Sequence, residues 1–199
     1  MVHSQSSIED LADSNPAARK RAAEALFEEG IRPATVVLEK WAADEQFSSL
    51  LTRRGPTKAD FPAATVGIAV FPKRFEEIHR ANGSPHFANV PPDQDAREFE
   101  LNFGDRARVD ILTTRDREGK GAIARFLERS GEGIQQVEFE VRDVERATQI
   151  LRDRFQVAPV YPATRAGADG TRVNFFLVAA ANAKKVLIEL VQGAETPRD

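Results

Sequence analysis

The sequence predicts an α+β protein in which an N-terminal helical arm, residues 1–60, precedes two βαβββ repeats over residues 63–195. Two observations predict it. The hydrophobic period switches from that of an α-helix to a period of two at Ala64. The order strand, helix, then further strands then occurs twice, in copies covering about 63–130 and 131–195. Each copy alone leaves one sheet face uncovered, so two copies bury apolar surface more economically than one.

In the arm, Asn15-Pro16 reads as an N-cap followed by proline at the first helical position, and Gly30 falls where a helix C-cap belongs. Pro33 opens a second helix, on which Ala34, Val37, Leu38 and Trp41 share a face. Phe47, Leu50 and Leu51 continue that spacing, and Arg53-Arg54-Gly55-Pro56 ends it. The reading is two helices, near 16–29 and 33–53, docked through Val37, Leu38 and Trp41 on the following domain or at a dimer interface.

In the first copy, Val66, Ile68 and Val70 alternate with Thr65, Gly67 and Ala69, as in a strand with two unlike faces. A helix around Phe75 and Ile78 ends at Asn82-Gly83, and the proline-rich stretch 84–95 is loop. Phe99, Leu101 and Phe103 form a second strand, Gly104-Asp105 a tight turn, and 106–113 a third strand. A helix at Ile123, Phe126 and Leu127 bridges the copies and ends at Gly131. In the second copy Val137, Phe139 and Val141 alternate with Gln136, Glu138 and Glu140. Asp143 caps a helix carrying Val144, Ala147, Leu151 and Phe155, and strands follow at 158–162, 171–178 and 185–192. The expected core includes Val66, Ile68, Val137, Phe139, Phe175 and Ile188.

Composition narrows the function. The chain of 199 residues holds no cysteine, which excludes disulfides, thiolate metal sites and cysteine nucleophiles. A net charge of −3 gives no electrostatic case for nucleic acid or an anionic membrane. Two short helices with Arg19-Lys20-Arg21 suggest a DNA-reading helix-turn-helix, but residues 1–60 carry 8 basic and 10 acidic side chains, where a DNA reader should be basic. No stretch has the apolar length of a membrane span, and the N-terminus lacks the apolar core of a secretory signal. The expectation is a soluble cytoplasmic homodimer that binds a small molecule, with no nucleic-acid or membrane partner.

Certain segments carry a family resemblance: Ile123-Ala124-Arg125-Phe126-Leu127-Glu128, the run from Gly131 to Val141, Thr171-Arg172-Val173-Asn174-Phe175, and Val186-Leu187-Ile188-Glu189-Leu190-Val191. In these, about 130 residues resemble the vicinal oxygen chelate superfamily, which includes glyoxalases, extradiol dioxygenases, bleomycin-resistance proteins and methylmalonyl-CoA epimerases. The motifs are most like those of the epimerases. There the second segment usually reads glycine-isoleucine-histidine-histidine; here it is Gly133-Ile134-Gln135-Gln136, a form also similar to 4-hydroxyphenylpyruvate dioxygenases. The resemblance implies a glyoxalase-type domain with a cleft between the copies. It places the family's metal-ligand positions at Thr65, Asp110, Gln136 and Glu189. Thr65 and Gln136 replace histidines, and only Glu189 is an ordinary ligand at its place.

That substitution governs the chemistry. Zinc, iron and nickel favour imidazole or thiolate, and this set has neither. Magnesium, manganese or calcium accept oxygen donors, but a neutral hydroxyl and amide hold them loosely. The expectation is no cofactor, with a weak hard divalent cation as the alternative. Glu138 alternates onto the face of Gln136, so Asp110, Glu138 and Glu189 can converge, and buried carboxylates need a cation or a shared proton. Arg108, on the face of Asp110, and Arg172, with Asn174, are the expected counter-charges and binding residues. Of the histidines, His3 and His79 read as surface residues, while His86 could border a pocket. Three functions follow. One is proton transfer on a small carbonyl compound or acyl thioester, of epimerase, isomerase or lyase type, with Glu189 as base and Asp110 or Glu138 as its partner. The others are a non-catalytic binder that sequesters a small molecule, and an interaction module using the helical arm.

Overall fold

The computed structural model describes residues 7–53, 62–104, 107–116, 119–180 and 185–194. The expectations for His3, for residues 54–56, for Asp105 and for Arg106 lie outside them. The chain divides into two compact units. The first comprises residues 1–30 and 65–135, the second residues 31–64 and 136–199.

In the first unit, strand β1 (Ala64–Ala69) pairs in parallel with β3 (Arg108–Thr113), setting Val66 beside Val109 and Ile68 beside Ile111. Strand β2 (Arg97–Asn102) pairs antiparallel with β3, placing Phe99 opposite Ile111 and Leu101 opposite Val109. These apolar residues share one face, as the period-two pattern requires. Helix α3 (Pro72–Ala81) buries Phe75 and Ile78, with the Phe75 and Phe99 rings edge to face at 4.8 Å. Pro72 stands at its first helical position, where the missing N–H costs no hydrogen bond. Toward the ends of the strands, Ala69 and Leu112 pack with Ile123 and Leu127 of α4 (Ala122–Ser130). Gly131 at φ 72° ends that helix, in a conformation glycine adopts without strain.

In the second unit, β4 (Gly133–Glu140) pairs in parallel with β7 (Lys185–Gln192). Strand β7 pairs antiparallel with β6 (Arg172–Ala179), which in turn pairs with the two-residue β5 (Arg165–Ala166). Val137, Phe139, Ile188, Leu190 and Phe176 are buried on one face, beneath α5 (Val144–Phe155). Asp143 caps α5 by accepting a hydrogen bond from the Arg146 amide at 2.9 Å. The α+β class is as predicted. The second copy is a full βαβββ unit, and the first shows βαββ among the described residues.

Several expectations need correction. The arm does not break at Pro33, because a single helix, α1, runs from Pro16 to Ala42 with the proline inside it. A mid-helix proline costs about 3 kcal/mol. Burial on both sides of it offsets that cost: Ala22, Ala23 and Leu26 in the first unit, and Ala34, Val37, Leu38 and Trp41 in the second. Gly30 therefore caps nothing. A Cβ placed on it would lie 2.6 Å from Val66 Cγ1 and 3.3 Å from Ile134 Cγ2, so its role is close approach of helix to strand. The strand expected at 158–162 is not formed. In this segment the Val160 N–H donates to the Phe175 carbonyl at 2.7 Å, and the regular pairing begins later, at Arg165. On β6, Phe176 takes the fully buried place expected of Phe175, which is half-buried on the other face.

The rest of the arm docks by backbone as well as by side chains. Helix α2 (Glu45–Leu50) is capped by Asp44, and the segment after it hydrogen-bonds across the end of β4. The Thr52 N–H donates to the Glu140 carbonyl at 2.9 Å, and the Arg142 N–H to the Leu50 carbonyl at 2.8 Å. Trp41, 2% exposed, meets Phe47 at 5.7 Å and Phe176 at 6.1 Å, both edge to face.

Candidate functional site

Pleat and register decide which side chains share a face. In the second unit, Glu138 of β4 lies beside Glu189 of β7, and Phe175 of β6 lies opposite Glu189. Gln136, two residues before Glu138, therefore faces the same way. Its amide nitrogen donates a hydrogen bond to Glu189 Oε2. An ionised carboxylate only accepts, so the amide must turn its NH2 toward it. Glu189 is 7% exposed, a depth at which a carboxylate needs donors. Two carboxylates and an amide thus share one sheet face, on the side away from α5.

Arg172 and Asn174 do not join them. Both lie on the opposite parity of β6, under α5. Arg172 pairs with Glu145 of that helix and donates to Thr164 Oγ1 at 2.8 Å. Asn174, fully buried, donates to Thr148 Oγ1 at 3.4 Å and accepts from the Phe175 N–H at 2.9 Å. Asn174 borders a groove of about 500 Å³ between α5 and residues 162–164, with Thr148 also in its lining. The groove is on the helix side of the sheet, so its size gives it no part in the chemistry of Glu189. A sequence that is apolar at both parities, Val173-Asn174-Phe175-Phe176-Leu177-Val178, could not reveal which parity turned to the helix.

In the first unit, Thr65 is 1% exposed and Asp110 half-buried. Gly67 is the parallel neighbour of Asp110, which puts Thr65 and Asp110 on the same face, two residues apart along the strands. Arg108 alternates onto that face, and its ion pair is with Glu100 of β2, the residue directly opposite Asp110. Sequence reasoning did not single out Glu100, although its alternation with Phe99 and Leu101 marks it as facing away from the core.

The histidines stand apart from both faces. His79 is half-buried rather than on the surface, stacked on Phe87 at 4.3 Å with Nε2 2.7 Å from the Pro85 carbonyl. His86 is exposed in the loop that follows.

Comparison with solved structures settles the family. The chain is 33% identical to methylmalonyl-CoA epimerase from Mycobacterium tuberculosis, at a TM-score of 0.55 over 66% of this chain and 87% of that one. The chain belongs to the vicinal oxygen chelate superfamily. A Streptomyces coelicolor methylmalonyl-CoA epimerase variant in complex with 2-nitronate-propionyl-CoA is 25% identical, with a TM-score of 0.54, over 73% of this chain and 99% of that one. A methylmalonyl-CoA epimerase in complex with methylmalonyl-CoA and NH4+ is 26% identical, with a TM-score of 0.53, over 74% and 99%. No family model matches the sequence, and no curated protein matches it.

In the second unit, the positions that the family resemblance assigns to metal ligands are Gln136 and Glu189. Among the described residues no three His, Asp or Glu side chains are grouped as a metal would need. Gln136 turns a donor, not an acceptor, toward Glu189, and an N–H cannot ligate a cation. As arranged, the donor set does not fit a tightly held transition metal.

Proposed function

We propose that this superfamily member catalyses proton transfer at the carbon next to a carbonyl, on a small acyl thioester or related carbonyl compound, without a tightly bound transition metal. The observation that carries the reading is the Gln136 amide donating to Glu189 beside Glu138, on one face of the sheet. Glu189 is the base. It takes the α-proton of the substrate, and the electron pair of the broken C–H bond moves to the carbonyl oxygen as an enolate. Proton return to carbon regenerates the carbonyl, from Glu189 itself or from a second carboxyl, Glu138.

Neighbouring carboxylates at strand spacing share one proton more readily than they carry two charges. One member can then accept a proton while the other holds one, as acid–base chemistry requires. Gln136 fixes the Glu189 carboxylate and has a second N–H, a donor of the kind that steadies an enolate oxygen. The similarity to epimerases crystallised with acyl-CoA ligands supports the substrate class.

Deuterium wash-in at the α-carbon of propionyl and methylmalonyl thioesters, followed by NMR in chelator-treated buffer, tests the reading. The native protein should exchange the proton at an undiminished rate after chelation. Glu189→Gln should lower that rate by roughly a hundredfold or more and leave the far-UV and near-UV spectra unchanged. Exchange that needs added zinc, nickel or iron would overturn the metal-free part. Absence of exchange, with small molecules still bound, would favour a sequestering protein.

A further inference from the structure

The groove between α5 and residues 162–164 lies on the face of the sheet opposite to Glu189, and the edge of β6 explains why it is there. Regular pairing on that edge covers only Val173 and Arg172, because β5 is two residues long. Past it the Phe175 N–H has no strand partner and turns to the side chain of Asn174, whose Oδ1 accepts it at 2.9 Å. That bond fixes the amide, since an N–H can only be met by its oxygen. The NH2 end is therefore the one presented to Thr148 Oγ1, at a long 3.4 Å. Asn174 and Thr148, 0% and 7% exposed, form the floor of the groove. A buried amide hydrogen with so little to meet is costly until an oxygen reaches it.

The rest of the lining offers donors as well. Among the described residues, the Thr148 hydroxyl hydrogen has no acceptor and the Arg152 guanidinium has no carboxylate. The two stand four residues apart on α5, about 5–6 Å between their Cβ atoms, near enough for one bound group to meet both. Gln149 gives its Oε1 to Arg146 at 3.2 Å, which turns its NH2 outward. At the other end, Glu145 is engaged by Arg172 and by the Thr164 hydroxyl at 3.3 Å. What fits such a set is a ligand with acceptor oxygens and a negative charge. Asp153, on the Arg152 rim, limits that charge: one guanidinium beside a carboxylate does not balance a dianion. Pro162 and Ala163 make part of the wall apolar, which suits a carbon skeleton rather than a bare ion.

We propose that this groove binds the carboxylate of a small organic acid, held by Arg152, Thr148 and the Asn174 amide, with the carbon skeleton along Pro162 and Ala163. A planar guanidinium fork and a hydroxyl one helical turn away match the two oxygens of a carboxylate. The volume, about 500 Å³, lies in the range of small-molecule sites. The site is separate from the Glu189 face and does not depend on whether Glu189 moves a proton.

Titration of the full chain, followed by two-dimensional amide NMR, tests it. Butyrate is the probe, butyramide its uncharged counterpart, and inorganic phosphate the competing anion. Butyrate should shift the Asn174 side-chain NH2 signals saturably, and its affinity should fall with added salt. Butyramide should bind about tenfold more weakly, as expected when a charge-assisted bond becomes a neutral one. Arg152→Met keeps the aliphatic stem and should also weaken butyrate about tenfold, with Arg152→Lys recovering part of the loss. Thr148→Val keeps the shape, removes the hydroxyl, and should weaken it about fivefold. Both variants should keep the near-UV spectrum of the native chain, and Glu189→Gln should leave butyrate binding unchanged. No saturable shift at Asn174 would mean that water alone meets the amide, and would overturn the proposal. Butyrate binding that survives both Arg152→Met and Thr148→Val, or that is lost in Glu189→Gln, would overturn it too. Phosphate binding more tightly than butyrate would overturn the assignment to a carboxylate.

Discussion

Gly30→Ala tests the packing of α1 against β1 because two well-defined effects oppose each other there. In an exposed helix, alanine for glycine stabilises by about 1 kcal/mol. At residue 30 the new Cβ would stand 2.6 Å from Val66 Cγ1 and 3.0 Å from its Cγ2, against an ordinary carbon–carbon contact of about 3.5–4.0 Å. Val66 has no exposed surface and is pinned by its pairing with β3, so its methyl groups have nowhere to turn. Helix and strand must separate by most of an ångström, and overpacking of that kind costs about 1–3 kcal/mol. The clash should win by about 1 kcal/mol or somewhat more. That lowers the thermal midpoint by about 2–4 °C per kcal/mol in a chain of this size. Urea unfolding of the native chain, Gly30→Ala, Val66→Ala and the double variant reads it directly. Val66→Ala alone should destabilise by a cavity cost of about 2 kcal/mol. The double variant should be markedly more stable than the sum of the two losses, because the new methyl group occupies the space that valine vacates. A Gly30→Ala variant as stable as the native chain, or a strictly additive cycle, would refute the account.

Asp44 offers a pH test. Its carboxyl is held below the ordinary carboxylate range, chiefly by the Phe47 N–H it accepts and next by its hydrogen bond with Arg154. A depressed folded pKa contributes stability above the unfolded value near 4 and loses it as pH falls through the folded value. The gap in urea midpoint between the native chain and Asp44→Asn should thus hold from neutral pH to about 5 and close below about 4; a gap unchanged down to pH 2.5 would contradict the assignment. Trp41, the chain's one tryptophan, should emit as a buried indole and shift to longer wavelength on unfolding. Trp41→Ala should cost about 3–5 kcal/mol by emptying its place between Phe47 and Phe176; a loss below 1 kcal/mol would mean the arm is not docked there.

What could be read from the sequence follows the reach of each signal. Alternation is a local property of the chain, so Val66 and Ile68, and likewise Val137 and Phe139, announced their strands and their buried faces. Capping is local too, and Asp143 marked the start of α5 correctly. Pro33 misled because its local rule was overridden by burial on both sides of it, and Gly30 because a close approach and a helix end use the same residue. On the second-unit sheet, strand parity put Glu138 on the face of Gln136, and the register sets Glu189 beside Glu138. The placement of Arg172 and Asn174 failed for want of a parity signal on β6.

Gln136 meets Glu189 directly, with an N–H donated to Oε2. A neutral donor such as the Gln136 amide does less than a divalent cation to balance a carboxylate. A proton shared between Glu138 and Glu189 is one way to relieve like charges at neighbouring positions. A shared proton makes the pair an acid and a base at once, which is the state the proposed proton transfer uses. The pH profile of exchange should then be bell-shaped, its two limbs belonging to the pair rather than to either residue. Glu138→Gln should remove one limb while Glu189→Gln removes activity. A profile with both limbs intact in Glu138→Gln would refute the pairing of Glu138 with Glu189.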